Sequence, residues 1–185
     1  MEWIISSVRP TNGAREHNNE RSCDVGLFQL EKALPELRRH AYLLSLDPFE
    51  SDQLVQDCVL RAIFWMHTLC TEDALRPWLF RVMHNLYLGR GRRMGPRKDI
   101  AATRLRQLAF QSMDPDMRTM FRGLARLPDG QRSVLLLVVV EGFQHAKVAK
   151  ILGLSIETVM WRFGRARERM GDFVDMERAN GAAAN

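Results

Sequence analysis

The chain is poor in residues that build covalent or metal-bound frameworks. It has 3 cysteines among 185 residues, Cys23, Cys58 and Cys70. They form no Cys-x-x-Cys pair, and none stands near a histidine at finger spacing. That argues against a structural zinc and against a disulfide scaffold, and it leaves Cys58 as a free cysteine in an apolar stripe. The histidines (His17, His40, His67, His84 and His145) are scattered, with no grouping of nucleophile, base and orienting residue along the sequence. No catalytic residue, metal, cofactor or small-molecule substrate is therefore assigned, and His84 is expected on a surface. Long apolar runs are missing too. The longest, "VLLLVVV" from Val134 to Val140, falls well short of the roughly 20 residues that cross a bilayer. The opening "MEWIISSVRPTNGAREHNNERSCD" has no basic stretch leading into an apolar core, so it does not read as a signal peptide. No membrane insertion and a cytoplasmic location are expected.

What is present is helical periodicity and a modest basic excess, 27 Lys and Arg against 22 Asp and Glu, with a pI near 9.6. The excess fits a nucleic-acid partner. The pattern divides the chain into a tail (1–25), a first helical module (26–94), a linker (95–115), a second module (116–175) and a C-terminal tail (176–185). In the first module, residues 27, 30, 34, 37, 41 and 44 trace one apolar helix face. Asp47-Pro48 breaks that helix, and Ser51 is read as the N-cap of the next. The second helix points Leu54, Val55, Cys58, Ala62, Ile63 and Met66 inward. "CTEDALRP" reads as a loop, and a third helix from about Arg76 to Arg90 buries Leu75, Leu79, Val82 and Leu86. "RGRRMGPRK" then marks a helix end running into the linker.

The second module ends in a candidate helix-turn-helix. Such a pair needs a small residue where the helices cross, a glycine in the turn and an apolar lock. Ala149, Gly153 and the set Val148, Leu152, Leu154 and Val159 fill those roles. Ser155 can cap the last helix, with Glu157 near its positive end. Val159, Phe163, Ala166 and Met170 step by four, three and four, so they face the core. Thr158, Trp161, Arg162, Arg165 and Arg169 fall opposite. Arginine can fork onto guanine or phosphate, and a short threonine suits the end of a helix that meets base edges.

A second candidate surface lies on the third helix. Trp78, Arg81, Asn85 and Arg92 share one stripe, flanked by Phe80 and Tyr87 and followed by Arg93. Aromatics for stacking, an amide for a base edge and arginines for phosphates suit single-stranded DNA.

Here "DQLVQDCVLRAIFWMHTL…LRPWLFRVMHNLYLGRGRR" resembles the region-2 domain of extracytoplasmic-function (ECF) sigma factors, group 4 of the sigma-70 family. "LPDGQRSVLLLVVVEGFQHAKVAKILGLSIETVMWRFGRARERM" resembles their region-4 domain. The resemblance implies an all-α fold of two small domains, a three- or four-helix region-2 bundle and a four-helix region-4 domain, joined by a flexible linker. It implies an initiation factor for RNA polymerase, held inactive by an anti-sigma factor and released by a stress or envelope signal. Asp52, Gln53, Gln56, Asp57 and Arg61 would dock on the clamp helices of the polymerase beta-prime subunit. Trp78, Arg81, Asn85, Arg92 and Arg93 would capture the melted minus-ten element. Ser155, Glu157, Thr158, Trp161, Arg162 and Arg165 would enter the minus-thirty-five major groove, and the same domain would touch the beta flap. Trp161 departs from the family, which commonly has a small polar residue there; His145 and Lys147 depart as well. Two alternatives stay open: a sigma-like decoy that binds only an anti-sigma factor, and a two-domain helix-turn-helix regulator of duplex DNA.

Overall fold

The computed structural model describes residues 19–65, 72–93 and 113–183, and side chains over 27–65, 74–90 and 113–179. The expected N-terminal tail and linker lie largely outside the described residues, as do Met66 and the side chains of Arg92 and Arg93. What is described contains seven helices and no strand, in two modules. The first holds α1 (Asn19–Ser45), α2 (Pro48–Trp65) and α3 (Glu72–Arg93). The second holds α4 (Pro115–Arg126), α5 (Asp129–Leu135, continuing as a π-turn over Leu136–Val140), α6 (His145–Leu152) and α7 (Ile156–Ala183).

Several boundaries differ from the sequence reading, each for a local reason. Ser51 is not a cap. Asp47 takes that role, accepting the Glu50 N–H on Oδ1 at 3.1 Å, while the Ser51 hydroxyl turns inward to the Pro48 carbonyl at 2.7 Å. The "CTEDALRP" loop is shorter than expected, because α3 starts at Glu72 and continues through Pro77. A proline inside a helix removes one backbone bond. Burial of Leu75 and Leu79 on either side outweighs that loss. Pro128 stands just before α5, at its N-cap position. The last helix continues through the expected C-terminal tail to Ala183.

The apolar stripes pack largely as their spacing dictates. Leu30, Leu37, Ala41, Leu44, Leu54, Val55, Cys58, Ala62, Leu75, Leu79 and Leu86 are buried. Leu27 and Ile63 are not; at 47% and 51% exposed they lie past the edge of the bundle. Cys58 is a free, buried thiol whose pKa burial pushes up to about 12, with Arg61 opposing and Asp57 adding to the rise.

The largest departure concerns Phe80, read as flanking a DNA face. It is 1% exposed, because α3 is buried on two sides. One side meets α1 and α2. The other carries Phe80 and Met83 into a core shared with Val134, Leu137, Val148, Ala149, Ile151 and Val159 of the second module. Leu44 of α1 joins Leu124, Leu127, Leu136 and Ala166 in a second shared cluster. The two modules are thus packed together rather than held apart.

Two polar clamps close this seam. At one, the fully buried carboxylate of Glu141 accepts from Arg39 Nη2 at 3.0 Å, lies 3.5 Å from Arg76 Nη2 and faces His40 Nδ1 at 3.4 Å. Arg76 also donates to the Glu141 carbonyl at 2.9 Å and to Glu36 at 2.7 Å, and it stacks on Phe143 at 4.4 Å. At the other, the Tyr87 hydroxyl donates to Asp129 at 3.1 Å and accepts from Arg132 at 2.8 Å. Truncating one partner of a buried ion pair typically costs about 3–5 kcal/mol. Arg76 is partly exposed, so Arg76→Ala is expected to lower stability by about 2–3 kcal/mol. The readout is the urea midpoint; an unchanged midpoint would mean that the seam does not form in solution.

Candidate nucleic-acid interface

The recognition element is built by local rules. Gly142 and Gly153 take positive φ values of 70° and 66°, the left-handed conformation that ends a helix and that a side chain would strain. The Leu154 N–H reaches back to the Ala149 carbonyl at 3.0 Å, which closes the turn after α6. Val148, Ala149 and Ile151 are buried against Val159. Ser155 caps α7, its hydroxyl accepting the Thr158 N–H at 3.2 Å and pairing with Thr158 Oγ1 at 3.0 Å. The Glu157 carboxyl is fully exposed and held below the usual range by its own backbone N–H and then by the Ser155 hydroxyl.

On α7 the inward set holds: Val159 and Ala166 are buried, Phe163 and Met170 partly so, and Phe173 extends the stripe. Trp161, Arg165 and Arg169 are exposed, Thr158 is half-buried, and Arg165 pairs with Glu168 at 2.8 Å. Arg162 sits differently. It is half-buried, with its guanidinium over Gly130 at the start of α5, where an added Cβ would meet Nη1 at 2.8 Å. It also lies close enough to His84 of α3 to affect its titration. Arg162 is thus held between α5 and α7 of its own module, and it reaches the first module through its charge.

On α3, Arg81 and Asn85 are exposed, and Trp78 is half-buried against the core. The stripe is therefore two polar residues beside a partly covered indole. His84, expected on a surface, points into the seam. Burial first, then His40 and Arg162, push its pKa down to about 4, with Asp129 only partly opposing.

The acid and amide face of α2 splits in two. Gln53 and Asp57 are drawn toward α3 by Arg90, which donates to the Asp57 carboxylate at 2.6 Å and to the Gln53 side-chain and backbone oxygens at 3.2 Å each. Asp52, Gln56 and Arg61 remain exposed. The sequence reading missed Arg90, Arg76 and Glu141. Glu141 carried one signal: an acidic residue just before a terminating glycine sits at the negative end of its helix, where a cation is preferred.

Neutral His84 makes stability pH-dependent. The imidazole's usual value is 6.5 and its value in the fold about 4. The unfolded chain therefore binds more protons between these values. The stability of the fold is fully present above about pH 6.5 and weakens as pH falls through that window. The expected NMR titration of His84 has its midpoint well below that of a free imidazole; a midpoint near 6.5 would mean that the seam is open in solution.

Comparison with known proteins follows the same division. Residues 109–170 match the family described as "Sigma-70, region 4", and residues 30–84 match the "Sigma2 domain of PhyR". The chain is 31% identical over 142 residues to the ECF RNA polymerase sigma factor EcfG of Rhodopseudomonas palustris, covering 75% of this chain and 78% of that one. It is 30% identical over 140 residues to the ECF RNA polymerase sigma factor SigM of Mycobacterium tuberculosis, covering 73% and 69%. In fold it is similar to the sigma factor RpoE of Bartonella quintana, solved with the anti-sigma factor NepR, at TM-score 0.64 and 24% identity over 79% of this chain and 94% of that one. It is also similar to CnrH, solved with the cytosolic domain of CnrY, at TM-score 0.54 and 22% identity over 85% and 99%.

Proposed function

The chain belongs to the ECF sigma factors of RNA polymerase, and we propose that its two modules divide a promoter between them. The first, through Trp78, Arg81, Asn85, Arg92 and Arg93, captures the melted minus-ten strand. The second, through Ser155, Glu157, Thr158, Trp161, Arg162 and Arg165, reads the minus-thirty-five duplex. One observation carries this: separate exposed surfaces of the right chemistry sit on different modules, Arg81 and Asn85 on α3, Trp161 and Arg165 on α7. Asp52, Gln56 and Arg61 offer a third surface for the beta-prime clamp helices, on the helix that the second module does not cover. The second module also meets the beta flap. Polymerase makes the bonds; this chain positions DNA. No described helix is long and apolar enough to cross a membrane.

The packed form represents the inactive state. Promoter elements named for positions minus ten and minus thirty-five lie some 25 base pairs apart, about 85 Å at roughly 3.4 Å per pair. A packed body of about 150 residues has a radius of gyration near 15 Å, so it spans about half that distance. The modules must separate before both can bind. RpoE of similar fold was solved with an anti-sigma factor. An anti-sigma factor that binds the packed form better than the open one would hold this chain inactive until a stress signal removes it.

Purified chain added to core polymerase is expected to start transcription at a cognate promoter. Within that holoenzyme, Arg165→Ala is expected to weaken upstream duplex binding about five- to tenfold, the low end of the range of one arginine contact. Asn85→Ala should leave duplex binding intact and reduce strand opening, read by permanganate footprinting. A chain that binds anti-sigma factor but not core would be a decoy; one that binds duplex but not core would be a plain regulator.

A further inference from the structure

We infer that Trp161 is a specificity residue of the upstream contact, seating its indole on the C5-methyl group of a thymine in the major groove. The inference rests on the reading of α7 as the helix that enters duplex DNA, and adds what it recognises there.

The polar groups at the start of α7 are largely committed. The Ser155 and Thr158 hydroxyls bond to each other, and Ser155 also caps the Thr158 N–H. The Glu157 carboxyl is held below its usual range by its own backbone N–H and by the Ser155 hydroxyl. Arg165 is paired with Glu168, and the Arg162 guanidinium lies over Gly130. The largest apolar group on the outer face is the Trp161 indole, 61% exposed, with Met160 exposed beside it.

Three facts select the occupant. Trp161 stands one turn before Arg165 and two before Arg169, so cations that can hold phosphates follow it on the same face. Its position, six residues after the cap, places it in the second turn, within the part of a recognition helix that reaches base edges. The thymine methyl is the apolar feature of the major-groove edge, and it is absent from the minor groove. An indole offers one N–H donor and a large apolar face, and that face matches the methyl of a T-containing step. The packed first module leaves it uncovered, so it does not serve the seam between modules.

The test isolates one methyl group. The holoenzyme selects a duplex from a random library, and each thymine of the upstream element is then replaced by deoxyuridine. At one position the wild type is expected to bind about three- to fivefold more weakly, the value of one buried methyl group. Trp161→Ala is expected to bind the thymine and uracil duplexes equally, and Trp161→Phe to keep part of the preference. Trp161 lies outside the core, so both variants should fold. A wild type indifferent to every replacement would overturn the proposal, as would a uracil penalty that survives in Trp161→Ala. So would a Trp161→Ala chain that binds DNA normally but loses a protein partner. If the holoenzyme selects no upstream element, or Arg165→Ala has no effect, the parent reading of α7 fails instead.

Discussion

The arrangement of the whole molecule depends on one buried carboxylate. Glu141 ends the π-turn of α5, at the negative pole of a helix and out of contact with water. Unpaired, it would be costly on both counts. The first module neutralises it with Arg39 and Arg76. Because α1 supplies one arginine and α3 the other, Glu141 fixes both helices relative to the second module at once. Phe143 follows two residues later, after the turn at Gly142, and lies under the Arg76 guanidinium and against Phe80. A single short segment, Glu141-Gly142-Phe143, thus carries the charge, the bend and the ring that seat one module on the other.

Such a seam is specific without being strongly stabilising. Buried ion pairs gain little over apolar replacements, because desolvation offsets their attraction, but wrongly registered ones are costly. Arg39 and Arg76 are partly exposed and can return to water when the modules part. Glu141 can do the same. The apolar part of the seam, around Phe80, Met83, Leu137 and Phe143, is what opening would expose. That surface must then be met by polymerase, DNA or an anti-sigma factor, or it favours reclosure.

The parts legible in the sequence were those set by local rules. The α6–α7 turn needed a left-handed glycine, a small crossing residue and a serine cap, and Gly153, Ala149 and Ser155 supply them in consecutive order. The inward stripes of α1, α2 and α7 followed from helical period, except at Leu27 and Ile63, which lie exposed. What was not legible arose chiefly from contacts across more than thirty residues. Phe80 and Met83 extend the apolar surface of α3 beyond one stripe, which periodicity alone reads as a second, functional face. Nothing local to His84 says that His40 and Arg162 will stand beside it. At the start of α2 the cap is Asp47, four residues before Ser51, because proline favours the first helical position and Asp47 stands directly before Pro48.

Arg162 shows how packing and DNA reading are linked. Periodicity assigns it to the outer face of α7, and it lies near the boundary of that face, three residues after buried Val159 and four before buried Ala166. From there a long side chain can turn toward α5 or toward a groove of DNA. In the packed form its guanidinium lies over Gly130 of the same module, and its charge is felt at His84 of the other. A side chain cannot occupy both places, so the DNA contact proposed for Arg162 would draw it away from Gly130. That contact lies within one module and is present whether or not the modules are docked. What differs between the packed and open forms is the charge facing His84, and a ligand shifts one state into the other only through such a difference.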